Sequence, residues 1–143
     1  MTFTSANVSA LALSFLLFVS APARADDTLY ADLGGEQGIA SIVEHATAAF
    51  LADPRIKHTF DETNIDRFKV KLAEQLCMVS DGPCKYTGQS MAAAHKGLHL
   101  RNVDFNALVE DLQDGLDKAG IPFATQNRLL ARLAPMQKDV VTR

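Results

Sequence analysis

Apolar residues recur every three or four positions along most of the chain, which is the spacing of one face of an α-helix. Four long stretches follow this rule, and glycine or proline residues separate them. No stretch alternates apolar and polar residues as a half-buried strand would. We therefore predict an all-α protein. The expected buried faces are Ile39, Ile42, Val43, Ala46 and Phe50; Ile65, Phe68, Leu72, Leu76 and Val79; Phe105, Leu108, Val109, Leu112, Leu116 and Ala119; and Leu129, Leu130, Leu133, Met136 and Val140.

Capping residues and helix breakers set the expected ends of these helices. Asn64 or Asp66 is placed to cap the helix that carries the second face, and Asp104 to cap the next long one. A short helix is expected over residues 91–98. Pro135 lies within the last apolar stretch, and we expect it to kink that helix or to shift its start.

The composition is that of a globular domain. Hydrophobic residues make up 48% of the 143 residues, charged residues make up 22%, and the formal net charge is -3. These values exclude intrinsic disorder. Because no run of Lys or Arg is present, they also argue against a nucleic-acid partner.

The first 25 residues have the pattern of a secretory signal peptide. An apolar stretch over residues 10–19 is followed by Ala23-Arg24-Ala25, a small-residue cleavage pattern before Asp26. No Lys or Arg precedes the apolar stretch, and an uncleaved membrane anchor is the alternative. The stretch is shorter than the roughly 20 residues of a span. We therefore expect a signal peptide at 1–25, a domain at 26–143 without a membrane span, and export to the periplasm.

Two cysteines, Cys77 and Cys84, leave two possibilities open. In an oxidising compartment they can form a disulfide that closes a short loop. The alternative is two unpaired cysteines, one buried on a helix and one in a loop. Without further Cys or a neighbouring His, this spacing does not indicate a zinc site.

His95 is the histidine placed best for chemistry. It shares a helix face with Met91 and Leu98. The three alanines beside it have small side chains, so a flat ligand can approach the helix closely. Such an imidazole suits axial ligation of a haem iron. A histidine satisfied within the core is the ordinary alternative. The remaining histidines are expected at helix margins or on the surface; they are His45, His58 and His99.

A series of short motifs runs along the chain in a fixed order. They are Leu29-Tyr30-x-x-Leu33-Gly34-Gly35, Phe50-Leu51-Ala52-Asp53, Pro54-Arg55-Ile56, Phe60, Gly82-Pro83-x-x-Tyr86-Thr87-Gly88, Met91-x-x-x-His95, Asp104-Phe105 and Gly120-Ile121-Pro122. In this order and spacing the chain resembles the group 1 truncated haemoglobins. The resemblance implies a two-over-two helical sandwich around one haem b. It also implies that His95 is the proximal iron ligand and that Phe60 packs against the haem.

The chain departs from the family pattern on the distal side of the expected haem. Thr47 stands where a tyrosine usually offers its hydroxyl to bound oxygen, and Phe68, Lys71 and Leu72 occupy the usual polar or bulky positions. An apolar pocket without a hydrogen-bond donor is poorly suited to oxygen storage. Asp81 replaces a glycine before Gly82-Pro83, with little expected consequence. The complete set of expected haem contacts is His95, Phe60, Phe68, Lys71, Leu72, Met91, Thr47 and Phe105.

Lys71 has two interpretations at this stage. In some family members the residue at this place is a His or Lys that binds the iron as a sixth ligand, which requires a neutral amine. Alternatively, the stem of Lys71 covers the haem edge and its charge meets a propionate. Both interpretations place Lys71 at the haem.

The resemblance implies a haem protein that binds oxygen or NO and works in detoxification, sensing or redox transfer. NO dioxygenation would need an external electron donor, because the 118 residues after the expected cleavage site leave no room for a reductase domain. The alternative is a periplasmic helical binding or structural module without haem.

Overall fold

The computed structural model describes residues 28–142 and is helical over that range, without strands. This confirms the all-α prediction. The expected signal peptide lies outside the described residues. Within residues 28–142, no helix combines the length and the hydropathy that a bilayer span requires. The helices are α1 Leu29–Asp32, α2 Gly35–Ala52, α3 Ile65–Val79, α4 Met91–Ala94, α5 Asn102–Lys118, α6 Phe123–Leu133 and α7 Gln137–Val140, with 3₁₀ turns at Lys57–Phe60 and Ala134–Met136.

Helix α2 is the central element of the fold. It packs along α5 and beside α3, while α6 contacts both α3 and α5. A Cβ atom on Gly115 of α5 would lie 2.7 Å from the Cα atom of Ala46 on α2. The two helices therefore cross at a separation that only glycine permits. The largest fully buried side chains that hold the two layers together include Leu33, Ile42, Phe50, Leu76, Leu116 and Leu129.

The helix starts agree with the predicted caps at one position and differ at another. Asn64 caps α3, because its side-chain oxygen accepts a hydrogen bond of 2.9 Å from the backbone N–H of Arg67. The predicted cap at Asp104 is wrong, since α5 begins earlier, at Asn102. Asp104 instead lies in the first turn, where its carboxylate accepts a hydrogen bond of 2.9 Å from the backbone N–H of Arg101. An acidic side chain there also complements the helix dipole.

The chain after α4 leaves the helical path sooner than predicted. Helix α4 ends at Ala94 rather than near residue 98, and His95 is its C-cap. Gly97 with φ +83° and His99 with φ +53° take left-handed conformations that turn the chain away. These two residues limit α4 to a single turn that ends at the histidine.

Pro135 interrupts the last helical stretch, as predicted. Helix α6 ends at Leu133, and a 3₁₀ turn containing Pro135 leads into the short α7. The break carries the C-terminal residues back towards the start of α5, where the backbone N–H of Thr142 donates to the carbonyl oxygen of Leu100 at 3.0 Å.

Arg55 fastens the segment between α2 and α3 to α5. Its guanidinium lies 2.7 Å from Asp53 Oδ2 and 2.6 Å from Glu110 Oε2, and its hydrogen bonds lower the pKa of Asp53. Burial and the neighbouring Asp53 raise the pKa of Asp111, whose Oδ2 has no hydrogen-bond partner among the described residues. These contacts fix the start of the 3₁₀ turn that carries Phe60.

Candidate haem site

A cavity of about 850 Å³ opens between α3, α4, α5 and the C-terminal segments. This volume lies within the range of about 300–1,000 Å³ that is usual for cofactor pockets. Seven of the eight haem contacts expected from the sequence line it, and apolar side chains predominate on its walls. The seven are His95, Phe60, Phe68, Lys71, Leu72, Met91 and Phe105.

Thr47 is the expected contact that the structure does not bring to the cavity. It is 1% exposed and lies in the core, and its Oγ1 has no hydrogen-bond partner among the described residues. Thr47 therefore does not line the cavity, and its contact with a bound haem stays a prediction. The cavity reaches the last turn of α2, where Phe50 lines it, but not the preceding turn.

Three aromatic rings form one wall of the cavity. The ring centroids of Phe50 and Phe60 are 5.9 Å apart in a stacked arrangement. Phe68 meets both rings edge-on, with its centroid 6.3 Å from Phe50 and 5.3 Å from Phe60. Offset and edge-to-face pairs at these distances stabilise one another. The cluster gives this part of the cavity a rigid apolar surface.

The His95 ring is held by a hydrogen bond to the backbone. Its Nδ1 atom lies 2.7 Å from the carbonyl oxygen of Met91, to which it donates a hydrogen bond as the Nδ1–H tautomer. The Nε2 lone pair is then free, and a partner of this kind on the other ring nitrogen is usual for a metal-binding histidine. Among the described histidines, His95 alone lines the cavity.

Gln75 is a cavity residue that the sequence analysis missed. Its amide nitrogen donates to the sulfur of Met91 at 3.1 Å and to the sulfur of Met136 at 3.3 Å. It therefore links α3 to the helix that ends at His95. Helical spacing could have identified Gln75, because it lies one helical turn after Lys71 and Leu72 on the face that lines the cavity.

Lys71 forms an ion pair that the sequence did not indicate. Its Nζ atom lies 2.9 Å from Glu74 Oε1 and also contacts the Thr87 hydroxyl. The backbone N–H of Thr87 donates to Glu74 Oε2 at 2.9 Å. The Thr87 backbone and Lys71 lower the pKa of Glu74 to about 2, because both stabilise its ionised form.

The loop that carries Thr87 is tied to α3 by a disulfide. Cys77 and Cys84 are bonded, with their Cα atoms 5.9 Å apart, so the structure selects the first of the two alternatives for these residues. The backbone N–H of Gly82 also donates to the carbonyl oxygen of Cys77 at 2.8 Å. The loop therefore leaves α3 along a fixed path on its way to α4.

The donor set and the walls of the cavity suit a haem. The apolar side chains of the α3 wall can cover a porphyrin face, and the Nε2 atom of His95 is available as a ligand for an iron. Within residues 28–142, no group of three or more His, Cys, Asp or Glu residues is arranged to hold a metal ion.

Comparisons with known proteins identify the family of this chain. The model of the bacterial-like globin family matches residues 28–142. The group 1 truncated hemoglobin of Tetrahymena pyriformis is 34% identical over 114 residues, covering 80% of this chain and 94% of that protein. The group 1 truncated hemoglobin of Mycolicibacterium paratuberculosis is 30% identical over 115 residues, covering 80% and 85%. The crystal structure of the T. pyriformis protein in its Fe(III) form matches with a TM-score of 0.79 at 33% identity, covering 82% of this chain and 100% of that chain.

The helical sandwich and its histidine-bearing apolar cavity define a haem-binding globin. The chain belongs to the bacterial-like globin family and is a group 1 truncated haemoglobin with the two-over-two fold. Its cofactor is a haem b with one iron. The alternative of a helical module without haem is not favoured by these matches.

Proposed function

We propose that this protein binds oxygen, NO and similar diatomic gases reversibly, at the iron of a haem that His95 holds. The observation that carries the proposal is the hydrogen bond from His95 Nδ1 to the Met91 carbonyl oxygen, which aims Nε2 for ligation. A haem held there supplies an iron that takes one small gas molecule as a further ligand.

The α3 wall supports an inference about which gases bind well. Phe68 and Leu72 present only carbon and hydrogen, and the Thr47 hydroxyl is buried in the core. The Lys71 amine and the Gln75 amide, which could donate, are engaged by Glu74 and by the sulfurs of two methionines. Bound oxygen gains most from a hydrogen-bond donor. We therefore infer that carbon monoxide and NO bind stably, whereas oxygen dissociates quickly.

An absorption spectrum tests this function. We expect the purified protein to be red, with a Soret band that shifts when carbon monoxide is added to the ferrous form. Stopped-flow mixing of the oxygen-bound protein with carbon monoxide is expected to show fast oxygen release. Colourless protein from cells supplied with haem would contradict haem binding, and slow oxygen release would contradict the inferred ligand preference alone.

We propose further that residues 1–25 direct export to the periplasm. The apolar stretch at 10–19 and the Ala23-Arg24-Ala25 pattern support this proposal. The Cys77–Cys84 disulfide suits an oxidising compartment.

Intact-mass measurement of the full chain expressed in a bacterium tests the export proposal. We expect a periplasmic protein that begins at Asp26, and we expect Ala25→Asp to block this processing because it removes the small residue before the cleavage site. A full-length mass confined to the membrane fraction would support the anchor alternative instead.

A further inference from the structure

Lys71 is a cationic side chain on the α3 wall of the cavity, as is Arg67, and it lies between the two apolar residues Phe68 and Leu72 along the sequence. Its Nζ atom lies 2.9 Å and 3.1 Å from the two carboxylate oxygens of Glu74. The amine is partly buried, with 28% of the side chain exposed, and the Glu74 side chain is 24% exposed. The contact is therefore shielded more than an ordinary surface ion pair.

Glu74 is itself fixed by the loop opposite. Its Oε2 accepts hydrogen bonds from the backbone N–H of Thr87 at 2.9 Å and from the Thr87 hydroxyl at 2.8 Å. The Cys77–Cys84 disulfide ties that loop to the next turn of α3. The carboxylate thus has a position set by groups other than Lys71, and the flexible lysine adapts to it.

This arrangement opposes ligation of the iron by the Lys71 amine. An amine binds a metal through a lone pair, and an ammonium group that a carboxylate holds has none to offer. Without Glu74, the Lys71 amine would lose both of the carboxylate oxygens that it contacts. Released from Glu74, this amine would be available to coordinate the iron of a bound haem.

We propose that Glu74 is a positioning residue of the haem site, which with Thr87 holds the Lys71 amine away from the iron and keeps the sixth coordination position open to gases. The inference rests on the proposed haem binding. It assigns roles to two residues that contact each other across the space between α3 and the 82–90 loop.

Ferric and ferrous absorption spectra of variants test the proposal. We expect the wild-type ferric haem to be high-spin and Glu74→Ala to convert it to a low-spin, six-coordinate form. The double variant Lys71→Ala/Glu74→Ala is expected to be high-spin again. Carbon monoxide is expected to bind more slowly to ferrous Glu74→Ala than to the wild type, because the amine must leave first.

A matched control is the ion pair between Lys69 of α3 and Glu44 of α2. Lys69 pairs with Glu44 at 2.7 Å, and neither residue lines the cavity. Glu44→Ala removes a lysine-bound carboxylate of the same kind and is expected to leave the spectrum unchanged. Glu74→Gln keeps the size of the side chain and loses its charge, so it tests the proposal even if the alanine variant does not fold. We expect a low-spin fraction in this variant also.

Three results would overturn the inference in distinguishable ways. A low-spin wild type that Lys71→Ala alone makes high-spin would show that the amine is already a ligand. A high-spin spectrum in both Glu74 variants would show that Glu74 does not hold the amine. A wild-type protein that retains no haem would instead overturn the proposed function, and this inference with it.

Discussion

Replacing His95 with Gly is expected to abolish haem retention. The structure offers no second histidine at the cavity among the described residues, because His45, His58 and His99 lie outside its walls. Loss of this imidazole removes the coordinate bond that we propose between the protein and the iron, and leaves apolar contacts alone. We expect the Soret absorbance to separate from the protein on gel filtration.

His99→Gly is the matched control for this experiment. His99 is exposed, lies four residues after His95 and has a positive φ that glycine adopts without strain. This variant is expected to keep its haem. Added imidazole is expected to restore a haem spectrum to His95→Gly, since it can enter the space left by the side chain. Undiminished haem in His95→Gly would mean that another residue holds the iron.

The part of the site that could be predicted is the part that depends on local pattern. The Met91-x-x-x-His95 spacing places both residues on one side of a helical turn, and the α4 turn does so in the structure. Phe68 and Leu72 follow the helical period of α3, which the hydrophobic pattern predicts. These contacts need no knowledge of how distant segments meet.

The contacts that could not be predicted join segments that are far apart in the sequence or depend on where the cavity ends. Glu74 and Thr87 are 13 residues apart, and their hydrogen bonds exist because the disulfide loop folds back along α3. On the sequence alone, Glu74 is one more solvent-facing acid. The extent of the cavity along α2 is also not a local property, because Phe50 lines the cavity while Thr47, one turn earlier, is buried in the core.

Reducing the Cys77–Cys84 disulfide is expected to lower the free energy of unfolding by about 2.5 kcal/mol, because the unfolded chain regains the freedom of a loop of about eight residues. Urea unfolding followed by helical circular dichroism, at a fixed haem concentration with and without a phosphine reductant, measures this difference. The double variant Cys77→Ala/Cys84→Ala is the control. Its urea midpoint is expected to be the same with and without the reductant. The same comparison also concerns the loop that holds Glu74, because Thr87 lies three residues after Cys84 of the disulfide. Equal midpoints for oxidised and reduced wild-type protein would show that the other contacts of the loop hold it without the disulfide.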